Sequence, residues 1–482
     1  MAVQIGGLAS GMDTETMIAA ILEGEQAQIK TYERQLENDK AELEGWDEVS
    51  SQISKLDSSM EPLSNFETWD QKKAVSSVGM MTATADDTAL NTDYNIEITQ
   101  LATKTAARTN SYADATAPLN LSGTFSVEGQ DVTVIAEDSL NDIAEKINQS
   151  QATVSNEEKV IAQVISGTLV LEKVNSGDRD LSLSENGTNN VLRELGIVTN
   201  TDSGGGTFNT IKSDYIIQGK NLEGNINGID FSRKSNQEID DVIPGVTMNF
   251  SETGTTKLEI SNDTEAIKNL LTDFIETYNT AIDEIRELTQ YVMEGENLTT
   301  TDEEGEEVKA ETGILQGESI ANNYLTRLRS SLMGSMDKNN NQDFPIETFN
   351  DMGIWFDDQE GHLKIVDEAK LDNALENNYS DVEEFFRGYG DSDKNPGIMR
   401  TVDGINDNYN DLVDGSVTIR KQMLNKEIER KEIEIDQMYE DLADYEAALW
   451  EQFSNMETAV AEINNSMQYL INSLGIDSDS DD

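Results

Sequence analysis

His362 is the only histidine in the chain, so any Ser-His-Asp arrangement would have to be built on it. It stands between Gly361 and Leu363 in a predicted turn, where a solvated surface histidine is expected. Asp337, Asn339, Asn341 and Asp343 follow the alternating oxygen pattern of an EF-hand loop. Gln342, however, occupies the place of the turn glycine and Thr348 that of the bidentate glutamate. Asp391, Asp393 and Asn395 end in Pro396-Gly397 without flanking helices, and both stretches read as solvated loops. The glycine-rich Gly6-Gly7-Leu8-Ala9-Ser10-Gly11 lacks the preceding strand and the Lys-Ser/Thr pair of a phosphate loop. Without cysteine there is no thiolate nucleophile or ligand, and carboxylates are too abundant for any pair to be specific. The expectation is a protein that is not an enzyme, with no cofactor and no metal.

Charge narrows the partners. Against 34 basic residues stand 94 acidic ones, a formal net charge of −60. Nucleic acid is excluded as a partner, because phosphate binding needs a basic face. Acidity spread along the whole chain fits a secreted protein that must not self-associate or, the reading favoured here, an organism living in high salt. Folding would then need molar salt. No apolar run is long enough to span a bilayer, so membrane insertion is not expected. The first residues lack the Lys or Arg of a signal peptide, and Asp13 and Glu15 interrupt the apolar stretch. If the chain leaves the cell, it does so without a cleaved signal. At 482 residues with 36% hydrophobic content, several domains with small cores are expected.

The elements that dominate the sequence are its two ends. Ile428, Ile435, Leu442, Leu449, Met456, Ile463 and Leu470 share one heptad position, joined by Met438 and Tyr445 and later by Phe453, Val460, Met467 and Leu474. The companions shift by one residue beyond Leu449, as a stripe of 3.6 residues per turn drifts against a repeat of seven. Near the start, Asp13 caps a helix opening at Thr14, and Met17, Ile18, Ile21 and Leu22 form its first apolar face. Ile29, Leu36 and Leu43 fall on one line with Tyr32, Trp46, Ile53 and Met60 near it, Val49, Leu56 and Leu63 continue the face, and Pro62 limits the helix.

The middle changes period. Strands are predicted around Tyr94 to Ile98, then as a hairpin from Thr124 to Ile135 turning at Glu128-Gly129. A helix from Ser139 to Ile147 and a hairpin turning at Ser166-Gly167 follow, all read as one compact module. Ser203 to Gly206 reads as a linker. Strands resume at Tyr215 to Ile217, Ile226 to Phe231, Val246 to Phe250 and Lys257 to Ile260, so the module nests in a second β domain with distant halves. Helical periodicity returns at Asp263 or Thr264. Glu294 to Glu307 reads as a loop, Ile320 to Leu332 as a helix, and Thr348 to Leu375 as a strand pair about Gly361 with a helix opening at Asp367. From Met399 the pattern leads into the final helix, and the acidic tail Asp477 to Asp482 should fray.

The opening Gly6 to Ile18, GGLASGMDTETMI, closely resembles the start of the flagellar filament cap protein family, also called hook-associated protein 2 or FliD. So do Val242-Ile243-Pro244-Gly245-Val246-Thr247 with Asp263-Thr264-Glu265-Ala266-Ile267, and Gly361 to Leu371. The resemblance covers the whole chain and is weakest from Asn120 to Asn200. It implies a multidomain α+β protein: long terminal helices forming a coiled-coil or helical-bundle leg, with two nested β-rich head domains between them. The implied division is 1–45 with 440–482 as the terminal helical domain and 46–73 with 264–439 as the bundle. Residues 74–118 with 205–263 form the head, and 119–204 the inserted outer head. It further implies a cap at the filament tip that templates flagellin polymerisation and prevents loss of monomers. Expected partners are copies of itself in a ring, often of five, flagellin, the hook-filament junction proteins and a type III export chaperone; the location is extracellular. The residues expected to meet flagellin or a neighbouring copy are Leu8, Met17, Ile21, Ile29, Leu36, Leu43, Ile435, Leu442, Leu449, Met456, Ile463 and Leu470. Legs whose apolar faces are kept for flagellin are favoured over pairing of the two helices with each other. The alternatives are an adhesin whose β head binds a surface glycan and another axial, junction-type protein.

Overall fold

A computed structural model describes residues 11–185, 190–199, 210–292, 299–301, 307–309, 312–335, 345–356, 361–388 and 396–474. The calcium-like stretches at 337–343 and 391–395, the Ser203–Gly206 linker, Leu8 and the acidic tail lie outside the described residues. The chain divides into two units, one of residues 1–65 and 264–482, the other of 66–263.

The first unit is helical. Helix α1, Thr14–Ser64, is opened by Asp13, whose carboxylate accepts from Thr16 N at 3.1 Å and from Thr16 Oγ1 at 2.7 Å. It ends two residues after Pro62, close to the expected stop. Helices α2 (Thr264–Thr289), α3 (Ser319–Leu332), α4 (Glu368–Asn377), α5 (Tyr379–Arg387), α6 (Gly397–Asn410) and α7 (Ser416–Leu474) follow. Their core gathers the wholly buried Trp46, Ile53, Tyr278, Tyr324, Phe349 and Phe385, with Phe349 edge-on to Phe385 at 5.1 Å between ring centroids. Gly45 lets the 312–318 segment lie against α1: a Cβ there would stand 2.8 Å from Ile314 Cγ2. The single final helix expected from Met399 is in fact two. Asp411 breaks it by accepting from Val413 N and Asp414 N, a local turn that competes with helix continuation. The acidic stretch expected to be a loop contributes to a short hairpin, Thr299–Thr301 with Glu307–Lys309. The strand pair about Gly361 is present as Ile354–Phe356 with Leu363–Ile365, and Asp367 caps α4 through Lys370 N at 3.0 Å.

The second unit is β-rich. A five-stranded antiparallel sheet runs in the order Lys72–Ser76, Gly254–Asn262, Thr92–Gln100, Leu222–Ile226, Ile229–Arg233, so its strands come from both ends of the unit. Residues 66–73, expected in the helical bundle, belong to this unit, because Lys72–Ser76 hydrogen-bonds along Gly254–Asn262. A three-stranded sheet, Ile239–Ile243, Val246–Phe250 and Met81–Ala85, closes the same apolar cluster around Ile96, Met248, Phe250 and Leu258. A second cluster, around Phe125, Val134, Ile143, Val160 and Leu171, belongs to the inserted segment. The expected module has this one core, but its two hairpins lie in different sheets. The hairpin Gly123–Val127/Gln130–Val134 pairs with Leu183–Glu185, while Val160–Ile165/Thr168–Lys173 joins Ala106–Ser111 in another sheet. Helix Leu140–Ser150 packs on strands of both, its N-terminus closed by a Ser139/Asp142 capping box. The two turns read from the sequence form: Glu128-Gly129 and Ser166-Gly167 have positive φ at both central residues, which matches the strand twist. Asn227-Gly228 has the same geometry and divides the stretch expected as one strand, Ile226 to Phe231, into a hairpin.

Candidate assembly interface on the terminal helices

The terminal helices pair antiparallel. Arg420 Nη2 lies 2.5 Å from Glu42 and 3.0 Å from Glu318, Lys421 2.6 Å from Asp47, Lys431 2.6 Å from Asp39 and Lys40 2.6 Å from Glu432. Tyr439 donates to Glu33 at 2.7 Å, which holds its hydroxyl above the usual tyrosine range. Burial opposes the charge on Arg420, but its two carboxylates outweigh that and raise its pKa. Farther along, Ile18, Leu22 and Leu449 are buried together, with Leu442, Trp450 and Phe453 packed against them. The two helices thus cover part of each other's apolar faces, where the expectation favoured faces kept for flagellin. The signal for this pairing was available in the matched heptad lines and in the Lys and Arg residues opposite Asp and Glu.

The residues expected at an interface fall into three groups. Ile29, Ile435 and Leu449 are buried between the helices. Leu36, Leu43, Leu442 and Met456 are half-buried. Met17, Ile21, Ile463 and Leu470 are exposed, the last two by 59% and 55%. Met17 and Ile21 point away from the pair because α1 turns Ile18 and Leu22 inward instead. Near its end α7 carries a stripe of exposed Ile463, Met467, Leu470 and Ile471.

Sites of bond-making chemistry are poorly supported among the described residues. The His362 Nε2 lies 2.7 Å from Asp283 Oδ1, and its side chain is only 14% exposed. It is a packing residue tying the Gly361 turn to α2, not the solvated histidine expected. No group of three or more Asp, Glu or His side chains that could hold a metal ion occurs among the described residues. No described helix is long and apolar enough to cross a membrane.

One polar network stands out inside the helical unit. Tyr324 donates to Asn406 Oδ1 at 2.9 Å, and Asn406 Nδ2 donates to Asp57 Oδ1 at 2.5 Å. Burial first, and the neighbouring Asp403 and Asp407 after it, push the Asp57 carboxyl up to about 6. Nothing in the sequence marked Asp57, whose partner lies 349 positions away.

A helical unit built on two long, charge-paired terminal helices, with a β-rich unit inserted in the sequence between them, defines a multidomain α+β protein. The family profile for the flagellar hook-associated protein 2 C-terminus matches residues 219–465, and that for its N-terminus residues 10–105; the chain belongs to this family. It is 25% identical over 480 residues to the A-type flagellar hook-associated protein 2 of Pseudomonas aeruginosa, covering 95% of both chains. With the flagellar hook-associated protein 2 of Salmonella typhimurium it shares 28% identity over 319 residues, 62% of this chain and 61% of that one. Among solved structures, the D1-D2-D3 domains of the flagellar cap protein FliD from Escherichia coli align with a TM-score of 0.49 at 21% identity, over 79% of this chain and 99% of that one.

The family's sequence signatures have local physical reasons. Gly245 has φ +73°, and a Cβ there would stand 2.5 Å from Asp86 Oδ1 and 2.6 Å from Ala89 N, so the Pro244-Gly245 turn needs glycine. Asp86 N donates to the Gly245 carbonyl at 2.8 Å, locking the two turns together.

Proposed function

We propose that this protein caps the distal tip of a flagellar filament, templating flagellin folding and polymerisation and retaining monomers. The observation that carries the reading is the apolar stripe of α7. It is buried against α1 as far as Leu449 and continues, exposed, through Ile463, Met467, Leu470 and Ile471. Exposed apolar stripes of this length belong to partner contacts. Copies assemble as a ring, in fives by the family resemblance, with flagellin and the hook-filament junction proteins as neighbours and an export chaperone during passage out of the cell without a cleaved signal. Met17, Ile21, Ile463 and Leu470 are the residues of the expected set most available to those neighbours. In the division proposed, residues 119–204 form the outer head, 74–118 with 205–263 the inner head, and the two chain ends the leg. The absence of a covalent step follows from templating by replaceable contacts.

Deleting the gene is expected to leave hooks without filaments and flagellin in the medium; normal filaments would refute the proposal. A variant carrying Ile463→Asp and Leu470→Asp should fold and be exported yet fail to restore filaments. Restoration at wild-type level would remove the stripe from the mechanism.

A further inference from the structure

The paired terminal helices carry their charges in two zones. No Lys or Arg precedes Lys30, and none follows Lys431 in the remaining 51 residues. Beyond Glu432, which pairs with Lys40, the helix carries nine carboxylates up to Leu474, and α1 before Ile29 adds Glu15, Glu23 and Glu25. All the cross-helix ion pairs described above therefore fall in the proximal zone, where Asp39, Lys40, Glu42 and Asp47 face Arg420, Lys421, Lys431 and Glu432. The distal zone is held by the small apolar cluster of Ile18, Leu22 and Leu449 with its half-buried neighbours.

At the junction of the two zones the packing opens. A half-open cleft of about 410 Å³ runs along the seam, lined by Ile29, Met438, Leu442 and Tyr445 with Glu25 and Asp441. One turn away, α1 contains Gly24, with open space where its side chain would be. A mid-helix glycine weakens the helix by about 1 kcal/mol relative to alanine. Packed helices lie roughly 8–10 Å apart. At about 10 mM salt the Debye length is roughly 30 Å, so carboxylates on the two helices repel across the seam; at about 1 M it is roughly 3 Å and they do not.

We infer that the distal half of the terminal helix pair is a salt-operated clasp: closed at high ionic strength, it swings open about Gly24 and the Ile29–Leu442 cleft at low ionic strength, while the ion-paired proximal half stays shut. Opening uncovers Ile18, Leu22 and Leu449, adding to the apolar stripe already exposed beyond them. The inference is independent of the cap reading, because it rests on charge and packing within one chain.

The chain has no cysteine, so labels can be placed at will. Spin-label pairs at Ala20→Cys/Gln452→Cys report the distal zone, and pairs at Asn38→Cys/Ile433→Cys the proximal zone; all four positions are exposed. In the full-length protein, pulsed dipolar distances in 2 M KCl should be short and narrow for both pairs. In about 10 mM KCl the distal distance should broaden and lengthen by more than about 10 Å, with the proximal one unchanged. A distal distance that stays short in low salt overturns the clasp, as does opening of both pairs together, which would be melting of the whole pair. A second variant assigns the cause. With Glu23→Gln, Glu25→Gln, Asp441→Asn, Asp444→Asn and Glu446→Gln, the distal pair should stay closed in low salt. Opening of this variant in low salt would show that charge is not the lever.

Discussion

At the scale of single residues, the most consequential groups are buried charges that sequence inspection passes over. Asp57 titrates at about 6 in the folded chain because burial and the facing Asp403 and Asp407 disfavour its charge, while Asn406 partly compensates. A folded-state pKa above the unfolded one means the native chain binds this proton more tightly, so the contribution of Asp57 to stability is full below about pH 4 and is lost as pH rises through about 6. The full shift corresponds to about 3 kcal/mol, and with the carboxyl still partly solvated roughly half of that is expected. Asp57→Asn should flatten this slope, measured as urea unfolding of wild type and variant between pH 4.5 and 7; parallel pH profiles would refute it. Lys173 offers a second test. Its side chain is wholly buried, with Nζ 2.9 Å from Glu128 and 3.0 Å from Glu158. Lys173→Met should destabilise the β unit by about 1–3 kcal/mol, since it leaves the largely covered Glu128 carboxylate with the Ser182 N–H at 2.8 Å but without its cation, and adding Glu128→Gln should recover much of the loss. If the single variant melts like wild type, the triad is dispensable.

Secondary elements were legible where their causes are local. The Asp13 cap, the positive-φ pairs at the Glu128-Gly129 and Ser166-Gly167 turns and the Asp367 cap need only neighbouring residues, and all are present. The heptad line of α7 was visible because periodicity survives without knowing the partner. Three features were not legible. The break at Asp411 depends on a side chain outcompeting the helix, the hairpins at 123–134 and 160–173 part company through pairings with Leu183–Glu185 and Ala106–Ser111, and His362 is covered by α2. Each is decided by residues far away or by a near-balance of backbone partners. The Pro244-Gly245 turn gives the test at this scale. Gly245→Ala places a Cβ in contact with Asp86 and Ala89 at a left-handed φ, and should cost about 1–3 kcal/mol in thermal unfolding of the β unit. A melting temperature within a degree of wild type would contradict this.

For the whole molecule, charge is unevenly shared. The helical unit carries 64 acidic and 20 basic residues, the β unit 30 and 14. Screening should therefore stabilise the helical unit more than the β unit. Trp69 is the only tryptophan of the β unit, whereas Trp46, Trp355 and Trp450 belong to the helical one. With Trp69→Phe, fluorescence reports the helical unit; with the other three replaced by Phe, it reports the β unit. Raising KCl from 0.1 to 2 M should move the helical midpoint upward by more than the β midpoint. Equal shifts would mean that salt acts through the apolar cores common to both units.

By itself the sequence determined the class of most segments, the long apolar stripes at both ends, the acidity and the family, because periodicity, turn chemistry and composition are written in adjacent residues. Tertiary structure alone decided which stripe residues are spent inside the chain. It buries Ile18, Leu22, Ile29, Ile435 and Leu449 between the helices and leaves Met17, Ile21, Ile463 and Leu470 outside. It also placed Asp57 beside Asn406 and chose which acid each cation of the seam meets. The physical reason is that a stripe specifies that something must cover it. The register, fixed here by pairs such as Lys431 with Asp39, specifies what does.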